Sequence, residues 1–476
     1  MNRMKYLRLL AVLAVLAMLA TACNSRTGDD ADEADGEDTA AADSGDDAED
    51  DGGDAPAGDG ATIEYWLWDA NQQPFYEECA TAFTDETGIN IEISQFGWGD
   101  YWTNLTTSFA SDTAPDVFTN HLARYPEQVE SGVLLPLNDF IDGSDVDTEQ
   151  YFAGLAELWV VPEGDRFGLP KDFDTVALVL NTDALEEAGL STEDAANLDW
   201  NPDDGGSFGE FIAQLSVDGN GNTGTSPDFD PSNVTQYGFG IEGPFGAFGQ
   251  TTFSGFAVSN GYQALNENPF GDQANFDSPE LHATIQWFAD NIEAGFITPI
   301  EDVESLGGTT LFQNGTAATM TNGSWMINTL TGDETEVPVE FAPLPEGPTG
   351  ESRSMFNGLA DSITQSAEDP EAAWQWVEYL ASTACQDVIG EAAVVFPAIP
   401  SSAEIAQNAH ESNGVDVSAF TSYVENDTTF LFPITDSASQ IEDIVGPVMQ
   451  QILRGEVSAA DGLGGVADQV NSILGS

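Results

Sequence analysis

The sequence predicts an α/β protein of two or more lobes, and three observations lead there. Strand-like and helix-like periodicities alternate from residue 61 onward. The stretch that carries them, 61–476, is too long for one ordinary domain. A Gly-, Asn-, Asp- and Pro-rich stretch at 200–240 then interrupts the alternation as loop. Repeated βαβ units of this kind predict a mostly parallel sheet with helices on both faces.

Each element has its own signal. In 61–68, Ile63, Tyr65 and Leu67 alternate against Glu64 and Trp66, as a half-buried strand requires. Pro74 opens and Gly88 closes a helix whose apolar face is Phe75, Cys79, Ala82 and Phe83. Strict alternation in 89–96 predicts a second strand, 100–111 a helix, and 114–120 a short buried strand. Thr175–Asn181 reads as a strand leading into a helix that Gly189 ends. Amphipathic helices are predicted at 279–297, 370–392 and 439–456. No tandem repeat of fixed period interrupts this order.

The N-terminus carries an address. Arg3, Lys5 and Arg8 precede an apolar run from Leu9 to Ala20, and Ala20-Thr21-Ala22 stands directly before Cys23. The run is too short for a membrane span and reads as a secretory signal, 1–22. A cysteine at that point resembles the lipobox of bacterial lipoproteins, which implies acylation of Cys23 and an anchor on the outer face of the cytoplasmic membrane. The alternative is an ordinary cleaved signal with an incidental cysteine. No arginine pair is present, so the general export route is expected over the twin-arginine one. Residues 23–60 read as an acidic tether, with 15 Asp/Glu after Cys23 and little that could form a core. A neutral flexible chain of that length averages about 30–36 Å end to end, and self-repulsion extends it.

The charge balance narrows the partners. Of 83 acidic residues, 68 lie in 61–476, against five bases: Arg124, Arg166, Lys171, Arg353 and Arg454. Such a body is a poor partner for nucleic acid or anionic membrane. In dilute buffer it repels itself, whereas at about 1 M salt the screening length is only about 3 Å. A salt-loving source is therefore expected. Beyond Cys23 only Cys79 and Cys385 remain, and two thiols in an exported chain suggest either a disulfide or two separate buried thiols.

An ordered set of short motifs spans 61–476. It runs through Tyr65-Trp66-Leu67-Trp68, Asp100-Tyr101-Trp102, Ala114-Pro115-Asp116-Val117-Phe118 and Phe167-Gly168-Leu169-Pro170 with Asn181. It continues with Asn322-Gly323-Ser324-Trp325, Ala342-Pro343-Leu344-Pro345, Phe356-Asn357-Gly358-Leu359, Glu371-Ala372-Ala373 and Phe396-Pro397-Ala398. No one motif is specific, but the set in this order, behind a lipobox, resembles the extracellular solute-binding proteins of family 1. This is the carbohydrate-import group that includes maltose-binding protein. The resemblance implies two α/β lobes (the type II periplasmic-binding-protein-like fold), a hinge crossed three times and a sugar in the cleft. Permease subunits of an ABC importer are the implied partners, and a monomer is expected. It places lobe 1 at 61–173 and 354–392, and lobe 2 at 174–353 and 393–476. Cys79 and Cys385 then share a lobe, which strengthens the expectation that they bond.

A sugar offers flat C–H faces and a rim of hydroxyls, so its site needs aromatic plates with carboxylates or amides around them. Ligands of open α/β sheets sit beyond the carboxyl ends of the strands. That rule selects Trp68 and Asp69, Trp98, Asn120 and His121, and Lys171, Asp172 and Asp174. Lys171 is expected either to donate to a hydroxyl or to pair with Asp172 or Asp174. The resemblance adds Trp325 as a stacking plate, Glu242 with Phe245, and Phe356 with Asn357. Trp66, Trp102, Trp374 and Trp376 are expected in the core.

Asp218, Asn220, Asn222 and Ser226, with a carbonyl at Gly224, have the spacing of the first part of a calcium loop. The closing Glu is replaced by Phe229, so a polar turn is the alternative to a structural calcium; no other cofactor is expected. An extracellular glycoside-active enzyme would use similar plates and a pair of carboxylates. No Ser-centred elbow or zinc-binding His pair accompanies them, and His121, His282 and His410 are scattered. A surface lectin is the other alternative, and the expectation is a binder without catalysis.

Overall fold

The computed structural model describes residues 60–475. The signal segment, Cys23 and the tether up to residue 59 lie outside the described residues. In chain order the strands are β1 (Thr62–Leu67), β2 (Asn90–Gln95), β3 (Val117–His121), β4 (Leu169–Asp174), β5 (Val176–Asn181), β6 (Val217–Asp218), β7 (Val234–Gln236), β8 (Thr319–Gly323), β9 (Val339–Ala342), β10 (Ser354–Ile363), β11 (Phe396–Pro397) and β12 (Thr429–Leu431).

The first sheet has the order β11-β4-β10-β3-β1-β2, with β12 added beside the start of β10. β1 pairs in parallel with β2 and β3, as the βαβ reading predicts. β10 enters between β3 and β4 antiparallel to both, so the sheet is mixed. All ten residues of β10 are buried, which a central strand covered on both faces requires. The second large sheet, β8-β5-β9, departs from the parallel expectation: β5 is antiparallel to both neighbours.

The expected helix after β1 spans Gln73–Thr87, with Pro74 in its first turn. It stops at Gly88, whose φ of 78° suits a residue without a Cβ. The helix predicted as continuous over 370–392 is two, Pro370–Leu380 and Thr383–Ala392. Ser382 breaks it: its hydroxyl accepts the Ala384 N–H and starts a new helix. Cys79 and Cys385, on Gln73–Thr87 and Thr383–Ala392, are joined in a disulfide across 306 residues of sequence.

Phe167-Gly168-Leu169-Pro170 has a packing reason. A Cβ on Gly168 would lie 2.8 Å from both the Ala360 Cβ and the Trp159 ring, so only glycine lets β4 approach β10 there.

One core, with Tyr65, Phe83, Phe118, Trp159 and Trp376, fills the first lobe and reaches one face of β5. Trp66 and Trp374 belong to it, and Trp102 packs against it half-buried. The other core gathers Leu178, Phe208, Phe239, Phe288, Ile441 and Met449. Residues 394–406 depart from the boundary drawn at 393. Val394, Phe396, Ala403 and Ala406 join the first core, and β11 pairs with β4. The segment 394–406 therefore packs with the first sheet and its core. Away from the cleft, Glu127 of the first lobe accepts from the backbone N and the hydroxyl of Ser439, at 2.6 and 2.7 Å. Ser439 begins a helix of the second lobe, Ala438–Leu453.

Candidate functional site: an interlobe cleft

The carboxyl ends of β1, β2, β3 and β4 meet segments of the second lobe around a cleft of about 480 Å³. Trp68 and Asp69 follow β1 directly, and Gln95 Nε2 ties down the Trp68 carbonyl at 2.8 Å. The Asp69 carboxylate accepts the Asn71 backbone N–H on Oδ1 and Gln72 Nε2 on Oδ2, both at 2.8 Å. Trp98 stands in the first turn of the helix Trp98–Ser111, its ring 5.1 Å from Trp68 and nearly perpendicular to it. It is 48% exposed, which leaves a large aromatic surface at the rim.

Across the cleft lies Trp325, in a short turn after β8. Its ring lies against Gly323, where an added Cβ would sit 2.0 Å from the ring. The Asn-Gly-Ser-Trp motif therefore folds the indole over its own backbone. Glu242 approaches from the same lobe, and Thr251 Oγ1 donates to its Oε2 at 3.1 Å. Burial raises the Glu242 pKa against that hydrogen bond.

Strand alternation decides which predicted residues reach the cleft. On β4, Asp174 lines it, and Ser324 Oγ donates to Asp174 Oδ1 at 2.8 Å. Burial, then the neighbouring Asp172 carboxylate, pushes Asp174 well above the carboxylate range, and Ser324 opposes them. Asp172 lies behind the lining, fully buried, with Oδ1 accepting the Leu359 N–H. Burial pushes it up to about 7, against the pull of the Lys171 ammonium. Lys171 points to the other face of β4. Its ammonium sits 3.4 Å from Asp361 Oδ1, donates to Tyr65 Oη and Thr119 Oγ1, and lies 4.0 Å from the Tyr76 ring centroid. It neither lines the cleft nor pairs with Asp172 or Asp174, contrary to expectation.

The same alternation separates neighbours on β10 and β3. Asn357 lines the cleft whereas Phe356 packs on Phe173 in the first core. His121 lines it whereas Asn120 is buried, donating to Gln128 and Ser362. Phe245 is likewise outside the lining, in the second core against Phe253 and Phe288.

His121 Nδ1 accepts the Ala123 backbone N–H, so the ring proton belongs on Nε2. Burial, then Arg124, lowers the His121 pKa to about 3, and the imidazole is neutral. Nε2 lies 3.2 Å from the Asn357 carboxamide, whose oxygen is the fitting acceptor; the other amide atom is buried without a partner among the described residues.

Asn71, Gln72, Gln250, Thr251, Met326, Thr329, Leu359 and Val395 also line the cleft. Asn71 and Gln72 follow Asp69 in the same turn, and Leu359 follows Asn357 by the strand period of two, so those three had a signal. Gln250, Thr251 and Val395 sit on irregular segments and carried none.

The loop that begins at Asp218 is a separate feature. Asp218 accepts from the backbone N–H groups of Asn220, Asn222 and Asp230 and from Asn222 Nδ2. These donors take the roughly four acceptor directions of a carboxylate, which a calcium site would turn toward the ion. Among the described residues, no three His, Cys, Asp or Glu side chains are placed to share a metal.

The profile of bacterial extracellular solute-binding proteins matches residues 78–413. The chain belongs to that family. This binding protein is 23% identical over 420 residues to a putative binding protein of Brucella abortus, covering 86% of this chain and 91% of the relative. It shares its fold with an ABC substrate-binding protein of Listeria monocytogenes in complex with cycloalternan. There the TM-score is 0.74 at 18% identity, over 88% of this chain and 100% of the other. It also resembles the GacH receptor of Streptomyces glaucescens, solved without ligand and with acarbose. That likeness has a TM-score of 0.69 at 19% identity, over 87% of this chain and 98% of the receptor. The family is one of binding proteins rather than enzymes. Among the described residues, no helix of this binding protein is long and apolar enough to cross a membrane.

Proposed function

We propose that this binding protein captures a sugar or oligosaccharide outside the cytoplasmic membrane and presents it to the permease of an ABC importer. The observation that carries the reading is a cleft with aromatic plates on both lobes, Trp68 and Trp98 facing Trp325, and carboxylates between them. The ligands named for the Listeria and Streptomyces proteins, cycloalternan and acarbose, support a carbohydrate. A ligand that touches both lobes binds the closed form better and shifts the hinge equilibrium toward it. The permease reads that closed form.

The rest of the reading follows the sequence. Cys23 carries the lipid, the tether spaces the lobes from the membrane, and the protein works as a monomer in high salt. Titration calorimetry and thermal shift against mono-, di- and trisaccharides in high salt test the capture. Saturable binding without release of reducing ends is expected; turnover of the bound sugar would overturn it. Cys23→Ala should move the protein from the membrane fraction to the medium. A denaturation midpoint that rises between 10 mM and 2 M NaCl is expected of the acidic body; an unchanged one would refute the high-salt reading.

A further inference from the structure

We propose that the cleft is built for sugars that carry a protonated amine, and that it rejects sugars carrying a carboxylate or phosphate. The inference rests on the sugar-capture reading and names the charge class of its ligand.

Three acids, Asp69, Asp174 and Glu242, line the cleft, and among the described residues no Lys or Arg does. The nearest base along the chain, Lys171, is committed on the opposite face of β4 to Asp361, Tyr65 and Thr119. Several small donors around the cleft already give one proton to a neighbour. Gln72 Nε2 is on Asp69, Thr251 Oγ1 on Glu242, Ser324 Oγ on Asp174, and Asn71 Nδ2 on Thr329.

A carboxylate has about four acceptor directions. Asp174 and Glu242 each receive one side-chain donor, and Asp69 one side-chain and one backbone donor, so most acceptor directions of the three acids are free. Donor capacity for a ligand comes from the carboxamides of Gln250, Asn71 and Gln72 and from the indole N–H groups of Trp68, Trp98 and Trp325.

A hydroxyl brings one donor and two acceptors, an ammonium three donors and none, and a carboxylate only acceptors. The ammonium alone matches the wall in both hydrogen bonding and charge, through charge-assisted bonds to acids of both lobes. Burial holds Asp174 protonated, and an ammonium placed beside it draws that carboxyl back to its ionised form. An anionic sugar meets like charge on both sides, and like-charge juxtaposition is a strong source of rejection. The whole body reinforces this, since 68 acids against five bases raise the local concentration of cations and lower that of anions.

The test is calorimetry on the mature chain at pH 6 with matched triples. Maltose, lactose, cellobiose and mannobiose are each compared with the 2-amino-2-deoxy counterpart and with the uronate. The best amine is expected to bind about tenfold or more tighter than its hydroxyl counterpart, about 1.4 kcal/mol, and the uronates at least tenfold more weakly. The Asp174→Asn/Glu242→Gln chain should lose the preference, its amine-to-hydroxyl affinity ratio falling toward one.

Neutral sugars binding as tightly as amines, uronates binding as well as neutral sugars, or a ratio that survives both substitutions would each overturn the proposal. Silence from all three classes would overturn the sugar-capture reading beneath it.

Discussion

The two faces of β4 carry opposite solutions to buried charge. On one, Lys171 meets Asp361, Tyr65 and Thr119 in a compensated cluster under the first sheet. On the other, Asp172 and Asp174 stand two residues apart, and among the described residues neither forms an ion pair. The first arrangement holds a lobe together. The second leaves acceptors at and just behind a cleft, a cost that folding alone would not retain. Structure and binding are thus separated by a single residue step along one strand.

The largest effect should come from breaking the compensated side. Lys171→Met leaves Asp361 buried beside two hydroxyls with no cation, and losing one partner of such a pair costs about 3–5 kcal/mol. The urea midpoint should fall accordingly, and adding Asp361→Asn should recover part of the loss. A single variant as stable as the parent would mean that the pair contributes little.

The uncompensated side should respond in the opposite direction. Burial raises Asp172 from 3.8 to about 7, so the folded state binds a proton that the unfolded state releases. Its stabilising contribution is full below about 4 and is lost as pH rises through about 7. Asp172→Asn should therefore stabilise the protein at pH 8 by about 2–4 kcal/mol, the gain shrinking toward pH 4. Urea melts at the two pH values check it, and equal gains at both would refute it.

Smaller, and confined to the ligand, is the effect of the facing plate. Trp325→Ala should weaken the best sugar by about tenfold or more while leaving the melting temperature within a few degrees. Gly323→Ala sharpens the point, because its methyl displaces the Trp325 ring without removing it. If both variants bind as the parent does, Trp325 is not a plate.

What the sequence revealed follows from the same alternation. Trp68, Asp69, Trp98 and His121 were legible as cleft residues because each follows or closes a strand visible in the sequence, and Asp174 because it stands where the chain first crosses between lobes. Asn120 and Phe356 sit next to cleft residues in sequence, and motif matching cannot tell position i from i+1 without the strand register; Asp172 shares the face of Asp174 but lies one step deeper. β4 was hidden for a physical reason: Lys171, Asp172 and Asp174 give it the composition of a loop, yet all six of its residues are buried. The antiparallel second sheet was hidden because its strands β5, β8 and β9 lie far apart in sequence. The boundary at 393 came from the resemblance, and no sequence signal marked Phe396-Pro397 as an edge strand on β4.

Asp218 extends the comparison to a carboxylate compensated by N–H donors alone. Burial raises its pKa, but the Asn222 side chain and the N–H groups of Asn222, Asp230 and Asn220 outweigh that and hold it well below the usual range. Its contribution is therefore present above about 4 and lost as pH falls, the reverse of Asp172. Asp218→Asn should flatten the acid limb of the stability profile, and EDTA should leave the melting temperature unchanged because N–H groups already fill the carboxylate's acceptor directions. A drop on chelation that calcium restores would show that the loop rearranges around an ion, and the Asn220 and Asn222 side chains would then have to turn their oxygens inward.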